Sequence, residues 1–217
     1  MIHPHTEIRF INDKIGYGVV ATKFIPKGTI TWALDRLDRI FTADQIKNMQ
    51  PTYQNIMDTY AYRNPEGNYV LCWDNARFVN HSSNSNCITT AYEFEIAVRD
   101  IQPGEELTDD YGYLNVDEPF EVVPEAGTDR TVVYPDDLLR HYHHWDEKLL
   151  EAFKHLHKVD QPLQSFLEKG TFEKAKLIAK GKEKMDSILH CYYAYTNGNG
   201  KVYPELEIRS PKVVYPV

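Results

Sequence analysis

Apolar residues follow two patterns along this chain: short runs near period two before residue 115, and a longer run near period 3.6 after residue 135. Residues 7–11 alternate in part, residues 19–24 follow Gly16-Tyr17-Gly18, and residues 29–34 are rich in β-branched and aromatic side chains. The turn Ile25-Pro26-Lys27-Gly28-Thr29 separates the last two runs, so three short strands are predicted here. Thr42-Ala43-Asp44-Gln45 has the form of a capping box, with Phe41 and Ile46 at the staple positions, which predicts a helix start. Pro51 interrupts that helix and restarts a second turn. Asn64-Pro65-Glu66-Gly67-Asn68 reads as a loop, residues 69–73 as a strand, and residues 87–99 as a strand pair followed by a turn at Pro103-Gly104.

Residues 114–133 are acidic and irregular, with Pro119, Pro124 and Gly127. Beyond Pro135, apolar positions fall at Leu138, Tyr142, Trp145, Leu149, Ala152, Leu156 and Val159, one face of a long amphipathic helix that Pro162 ends at the latest. Thr171 suits the cap of a further helix reaching Leu189, weakened by Gly181, and Asn197-Gly198-Asn199-Gly200 signals a hairpin. The pattern predicts a mainly β fold with a helical appendage. Its parts are a β-rich core over residues 1–115 with an insert helix near 42–60, an acidic connecting insert over 116–134, and a helical region over 135–217 with a short tail hairpin.

The net charge of −8 argues against nucleic acid as a direct ligand and suits a basic peptide, although it would equally serve solubility. Cys72, Cys87 and Cys191 form no C-x-x-C, so neither a disulfide framework nor a cysteine zinc site is expected. No apolar run approaches the roughly 18 residues of a membrane span. The first residues lack the apolar stretch of a secretory signal, so an intracellular protein, cytoplasmic or nuclear, is expected. His141, His143, His144, His155 and His157 scatter over several helix faces without H-E-x-x-H, so no metal is expected.

The chemistry concentrates in two segments. Residues 77–86 read R-F-V-N-H-S-S-N-S-N and residues 105–113 read E-E-L-T-D-D-Y-G-Y. With Gly16-Tyr17-Gly18, I-P-K-G-T at 25–29 and P-G-E-E-L at 103–107, their order over residues 7–113 resembles the SET-domain lysine methyltransferases, whose signatures are N-H-S-C-x-P-N and E-L-x-x-D-Y. The resemblance implies a β-rich pseudoknot core of small sheets, S-adenosylmethionine as cofactor and S-adenosylhomocysteine as its product. The substrate would be a lysine in a basic protein such as a histone, with no membrane or direct nucleic-acid partner.

Residue by residue, the resemblance makes Tyr111 the catalytic tyrosine. It gives Gly16, Tyr17, Gly18, Asn80 and His81 to the cofactor and Tyr113 to the lysine channel. Asp109 stands at a channel position usually Phe or Tyr that helps to set how many methyl groups are added. Ser83 and Ser85 replace the family's Cys and Pro, and the cysteine-rich zinc segment of many relatives is missing. Some relatives close the channel with an aromatic C-terminal helix instead. Residues 144–153 resemble it, so Trp145 either stacks on adenine or belongs to the core seam of its own helix. The same seam would serve a homodimer if it is not buried within one chain. The alternative to an enzyme is a catalytically inactive SET-fold module that binds peptide or cofactor.

Overall fold

The structure is a computed structural model that describes residues 1–194. The hairpin signal at Asn197 to Gly200 lies outside the described residues. β1 (Thr6–Asn12) and β2 (Gly16–Ala21) form an antiparallel pair, turned by Asn12, whose Oδ1 accepts the backbone N–H groups of Lys14 and Ile15. β3 (Ile30–Ala33) is buried throughout. β4 (Arg39–Phe41) leads into α1 (Ala43–Lys47). There Thr42 accepts from the Gln45 N–H at 3.2 Å and Gln45 Oε1 accepts from the Thr42 N–H at 2.8 Å, the capping box that the spacing predicts.

α2 (Pro51–Tyr60) restarts at the proline and buries Met57. β5 (Ala61–Arg63) and β6 (Tyr69–Leu71) complete a sheet ordered β4–β6–β5. The strand expected over residues 69–73 thus ends at Leu71. Trp73 beyond it turns its indole N–H to Asp35, at 2.9 Å. β7 (Asn80–His81) is followed by β8 (Cys87–Thr89) and β9 (Phe94–Ala97), which pair with β3 in the order β3–β9–β8. β10 (Thr108–Asp109) pairs in parallel with β7.

The acidic insert is not wholly irregular, because β11 (Phe120–Glu121) and β12 (Val132–Val133) close it as a hairpin. α3 (Asp137–Leu156) follows. Its apolar face buries Leu138, Trp145, Leu149, Ala152 and Leu156 against Ile30, Ile88, Phe94 and Ile96 of the sheet. The seam is therefore occupied within the chain, and helix and sheet share one core. A second cluster gathers Val19, Ala21, Ile25, Trp32, Cys87, Ile101 and Leu107 beneath the N-terminal hairpin. Among the described residues no helix is long and apolar enough to cross a membrane.

Two helix boundaries differ from the sequence pattern. α3 stops at Leu156, short of Val159, because the Gln161 amide intervenes. Its Nε2 donates to the Leu156 carbonyl at 2.9 Å and to the Gly28 carbonyl at 2.8 Å, while its Oε1 accepts the Ile30 N–H. α4 (Thr171–Ala179) is half the expected length. Thr171 lies inside it rather than capping it, the cap being Gly170 at φ 94°. Gly181 at φ 66° ends it, since a left-handed residue cannot continue a right-handed helix. A separate 3-10 turn at Ile188–Cys191 then starts on the Ser187 side chain.

Gly28 has φ 90°, and a Cβ there would lie 2.6 Å from the His155 Cβ and 2.9 Å from the Leu156 nitrogen. The turn after β2 and the end of α3 therefore meet at a point where only glycine fits. Gly28→Ala should cost about 2–4 kcal/mol, combining a left-handed backbone with overpacking. Urea unfolding measures it, and an unchanged midpoint would show that the two segments separate freely.

Candidate active site

The two polar segments meet because β7 and β10 run side by side, Asn80 opposite Thr108 and His81 opposite Asp109. The Ser82 N–H extends the ladder to the Asp109 carbonyl at 2.9 Å. Such a short parallel pair is weak by itself. Asn86, 1% exposed, reinforces it: its Oδ1 accepts the Thr108 N–H at 2.9 Å and its Nδ2 donates to the Glu106 carbonyl at 2.8 Å. One buried amide thus satisfies backbone groups of the second segment from within the first.

On one side of this ladder lies the start of β2. Asn80 Nδ2 donates to the Tyr17 carbonyl at 3.0 Å and to Glu106 Oε1 at 2.6 Å. A Cβ on Gly18 would collide with the Glu106 carboxylate and come within 2.8 Å of the Asn80 amide. Gly16, at φ 80°, meets open space where its Cβ would be, so there backbone conformation is what requires glycine. The Tyr17 ring is 56% exposed and packs edge-on against Phe10. Burial pushes the Glu106 carboxyl up, against the Asn80 hydrogen bond that favours its charge.

His81 Nδ1 accepts the backbone N–H of Tyr111 at 3.1 Å. The ring is therefore a neutral Nε2–H tautomer, donating to Ser83 Oγ at 3.2 Å. Burial lowers its pKa, opposed by the Asp110 carboxylate 3.9 Å away. The Tyr111 ring meets His81 and Phe120 edge-on, and its hydroxyl donates to the Val79 carbonyl at 2.8 Å. Burial, then the charges of Asp109 and Glu106, hold that phenol far above the usual tyrosine range, so it stays protonated.

Tyr111 and Tyr113 are aimed by a 3-10 turn, Tyr111–Tyr113, that starts on Asp110. Asp110 Oδ1 accepts the Gly112 N–H at 3.0 Å. Arg130 from the acidic insert pairs with Asp110 and also with Asp137 at the start of α3, at 2.5 Å. A Cβ on Gly112 would come within 2.8 Å of that guanidinium. Tyr113, 1% exposed, faces the other way. Its hydroxyl lies 2.9 Å from Asp109 Oδ1 and 3.0 Å from the Cys87 carbonyl, and accepts the Asp110 N–H at 3.0 Å.

Tyr113 also lines a pocket of about 120 Å³ together with Trp32, Leu34, Tyr62 and Thr89. Glu66 and Glu93 belong to the same lining. The Glu93 carboxyl is pushed up by burial and then by the charges of Glu168 and Glu66, so like charges crowd this pocket. Glu93 has φ 59°, a left-handed conformation that a non-glycine residue adopts at a cost of about 1–2 kcal/mol.

Gly16, Tyr17, Gly18, Asn80, His81 and Tyr111 are thus brought together; Tyr113 lies next to them in the pocket lining, with Asp109 behind it. Trp145 is not with them. It is 2% exposed, edge-on to Tyr113 with ring centroids 5.2 Å apart, and the Arg130 guanidinium lies over its ring at 6.0 Å. Of its two alternatives, the structure realises the core. Asn86, Glu95, Glu106, Asp110 and Arg130 were not singled out from the sequence. A carboxylate or amide in an acidic chain carries no mark of its partner. The available signals were positions of the motifs themselves: Asn86 is the last asparagine of the N-H-S-S-N-S-N run, and Glu106 and Asp110 stand in E-L-T-D-D-Y. Among the described residues no three His, Cys, Asp or Glu side chains are grouped to hold a metal ion.

No curated protein matches the chain. A family model described as SET domain matches residues 16–112, a stretch that begins at Gly16 and ends one residue past Tyr111. Members of that family are in general methyltransferases, and their domains typically bind S-adenosylmethionine. The small sheets, the paired polar segments and the match agree, and residues 16–112 of the chain are a SET domain.

Proposed function

We propose that this protein is an S-adenosylmethionine-dependent protein-lysine N-methyltransferase acting on a basic protein, of which a histone is one example. The observation that carries the reading is the β7–β10 ladder, which sets the glycine-bounded strand start, Asn80, His81 and Tyr111 on one patch. The patch fits a cofactor with a long flexible body. Gly16 adjoins open space, Gly18 lets the Glu106 and Asn80 side chains close against the strand where a Cβ would collide with them, and the Asn80 amide and Tyr17 backbone stand at the edge of that space. Bound there, S-adenosylmethionine would supply a methyl group already activated by a sulfonium, so no metal is needed.

The chain's own residues have three tasks. Asn80, Gly16 and Gly18 hold the cofactor, and His81 fixes the backbone of Tyr111. Tyr111, protonated and rigid, orients the reacting groups through its hydroxyl once that hydroxyl turns from the Val79 carbonyl. The pocket beside Tyr113 admits the lysine: aromatic rings of Trp32, Tyr62 and Tyr113 suit its methylene stem, and Glu66 and Glu93 suit its charge. Excess negative charge in that lining is what favours a basic peptide over an acidic one.

Tyr111→Phe should lower kcat by about 10²-fold or more while calorimetric binding of S-adenosylmethionine stays within a few-fold of wild type. Equal kcat in the two proteins would remove the tyrosine from the chemistry. Asn80→Ala and Gly18→Ala should each weaken cofactor binding by about tenfold or more, the first by losing an amide partner and the second by displacing Glu106. Wild-type affinity in both would place the cofactor elsewhere. Cofactor binding without any S-adenosylhomocysteine formed on basic proteins would instead indicate a module that binds without turnover.

A further inference from the structure

Behind the pocket wall, Asp109 and Glu95 form a carboxyl pair for which cofactor holding and lysine entry provide no task. Asp109 is 5% exposed. Glu95 stands on β9 opposite Trp32 of β3 and Thr89 of β8. Directly paired residues of antiparallel strands project to the same face of a sheet. Trp32 and Thr89 line the pocket, so Glu95 projects to the pocket side, and its carboxyl hydrogen-bonds that of Asp109. Two carboxyls in contact do not both ionise, so the pair holds a proton.

Tyr113 joins this pair to the pocket, its ring in the lining and its hydroxyl 2.9 Å from Asp109 Oδ1. A second feature marks the pocket as made for a ligand. Trp32, 4% exposed, has an indole Nε1–H with no acceptor. A buried unpaired donor costs roughly 1–3 kcal/mol, which a carbonyl of an entering peptide would relieve.

We propose that Asp109, paired with Glu95, is the acceptor of the substrate ammonium's proton, reached through the Tyr113 hydroxyl. The proposal rests on the lysine methyltransferase reading above. One N–H bond of the ammonium breaks as its proton passes to the Tyr113 oxygen. The phenol's own proton passes to Asp109, which becomes a neutral acid beside Glu95. The lysine nitrogen keeps the electron pair, and the carboxyl pair releases the proton to solvent after turnover.

A free lysine is neutral in only about one molecule in 2,500 at pH 7, and an acceptor within the site lets the abundant ammonium form be the one that binds. Burial raises the pKa of both carboxyls, that of Asp109 to about 6, so the acceptor is matched to neutral pH. Tyr111, Tyr113 and Asp110 from the turn, Cys87 from β8, and Tyr62 and Cys72 from the neighbouring sheet act on the pair or feel its charge. Burial raises the pKa of each of these phenols and thiols, and Asp110 is ion-paired to Arg130. The Met1 amine opposes the rise at Glu95.

The test is the pH dependence of kcat/KM for radiolabelled methyl transfer to a mixture of histones and lysine-rich peptides, with full-length wild type and Asp109→Asn. With the relay, the wild-type profile falls below about pH 6 and is flat above it up to the lysine's own pKa of about 10.4. Asp109→Asn, close to isosteric, should lose on the order of 10²-fold at pH 7, the gap closing about tenfold per pH unit as hydroxide removes the proton instead. A wild-type profile that climbs tenfold per unit through neutrality overturns the relay without any variant. So does an unchanged profile in an Asp109→Asn protein that melts and binds S-adenosylmethionine as wild type does. Cofactor binding with no transfer by wild type overturns the enzymatic reading, and this inference with it.

Discussion

The ladder between Asn80–His81 and Thr108–Asp109 is the contact on which the rest of the candidate site depends. Each hydrogen bond in it is worth only about 1 kcal/mol net, because both segments would otherwise bond to water. What makes the arrangement unique is that its alternatives strand buried polar groups. Asn86 has already turned its amide to Thr108 and Glu106, and His81 holds the Tyr111 N–H. If the two segments separated, a buried amide, an imidazole and several backbone groups would lose partners together. The cost of leaving such groups unmet exceeds the gain from making any one bond.

A second constraint ties this site to the helices. Arg130 reaches from the acidic insert to Asp110 and Asp137, so the turn that aims Tyr111 and Tyr113 is clamped to the first turn of α3. Buried ion pairs seldom add much stability, since desolvating the charges offsets their attraction. This one fixes a geometry instead: Gly112 is small enough to admit the guanidinium, and Tyr113 packs edge-on against Trp145 on the far side. The helical region is thus part of the support of the turn that carries Tyr111 and Tyr113. The packing at Gly28, where turn and helix end meet without room for a methyl group, gives the same link from the other end of α3.

Electrostatics divide the site into two halves. Around Tyr111 the groups are kept neutral, a protonated phenol beside an uncharged imidazole, which suits the holding of a cationic ligand by shape and dipoles. Around Tyr113 lies negative charge, in the carboxyl pair behind the pocket wall and in Glu66 and Glu93 within the lining. The left-handed backbone of Glu93 keeps an acidic side chain at a strained position, and strain of that kind persists where surrounding structure enforces it.

Much of this architecture is written in local pattern. The capping box at Thr42, the restart at Pro51, the strands of the N-terminal half and the apolar face from Leu138 to Leu156 all rest on residues within a turn or two of one another. Local propensity and periodicity therefore suffice to specify them, and the order of the short motifs identifies the family. The end of α3, the burial of Trp145 and the partners of Asn86, Arg130 and Glu95 are decided elsewhere. Each depends on a group brought in from a distant part of the chain: Gln161 onto Gly28, Tyr113 onto Trp145, Arg130 onto Asp110, Glu95 onto Asp109. A side chain's type states what bonds it can make. Only the folded chain, by excluding water and closing loops, decides which of them it makes.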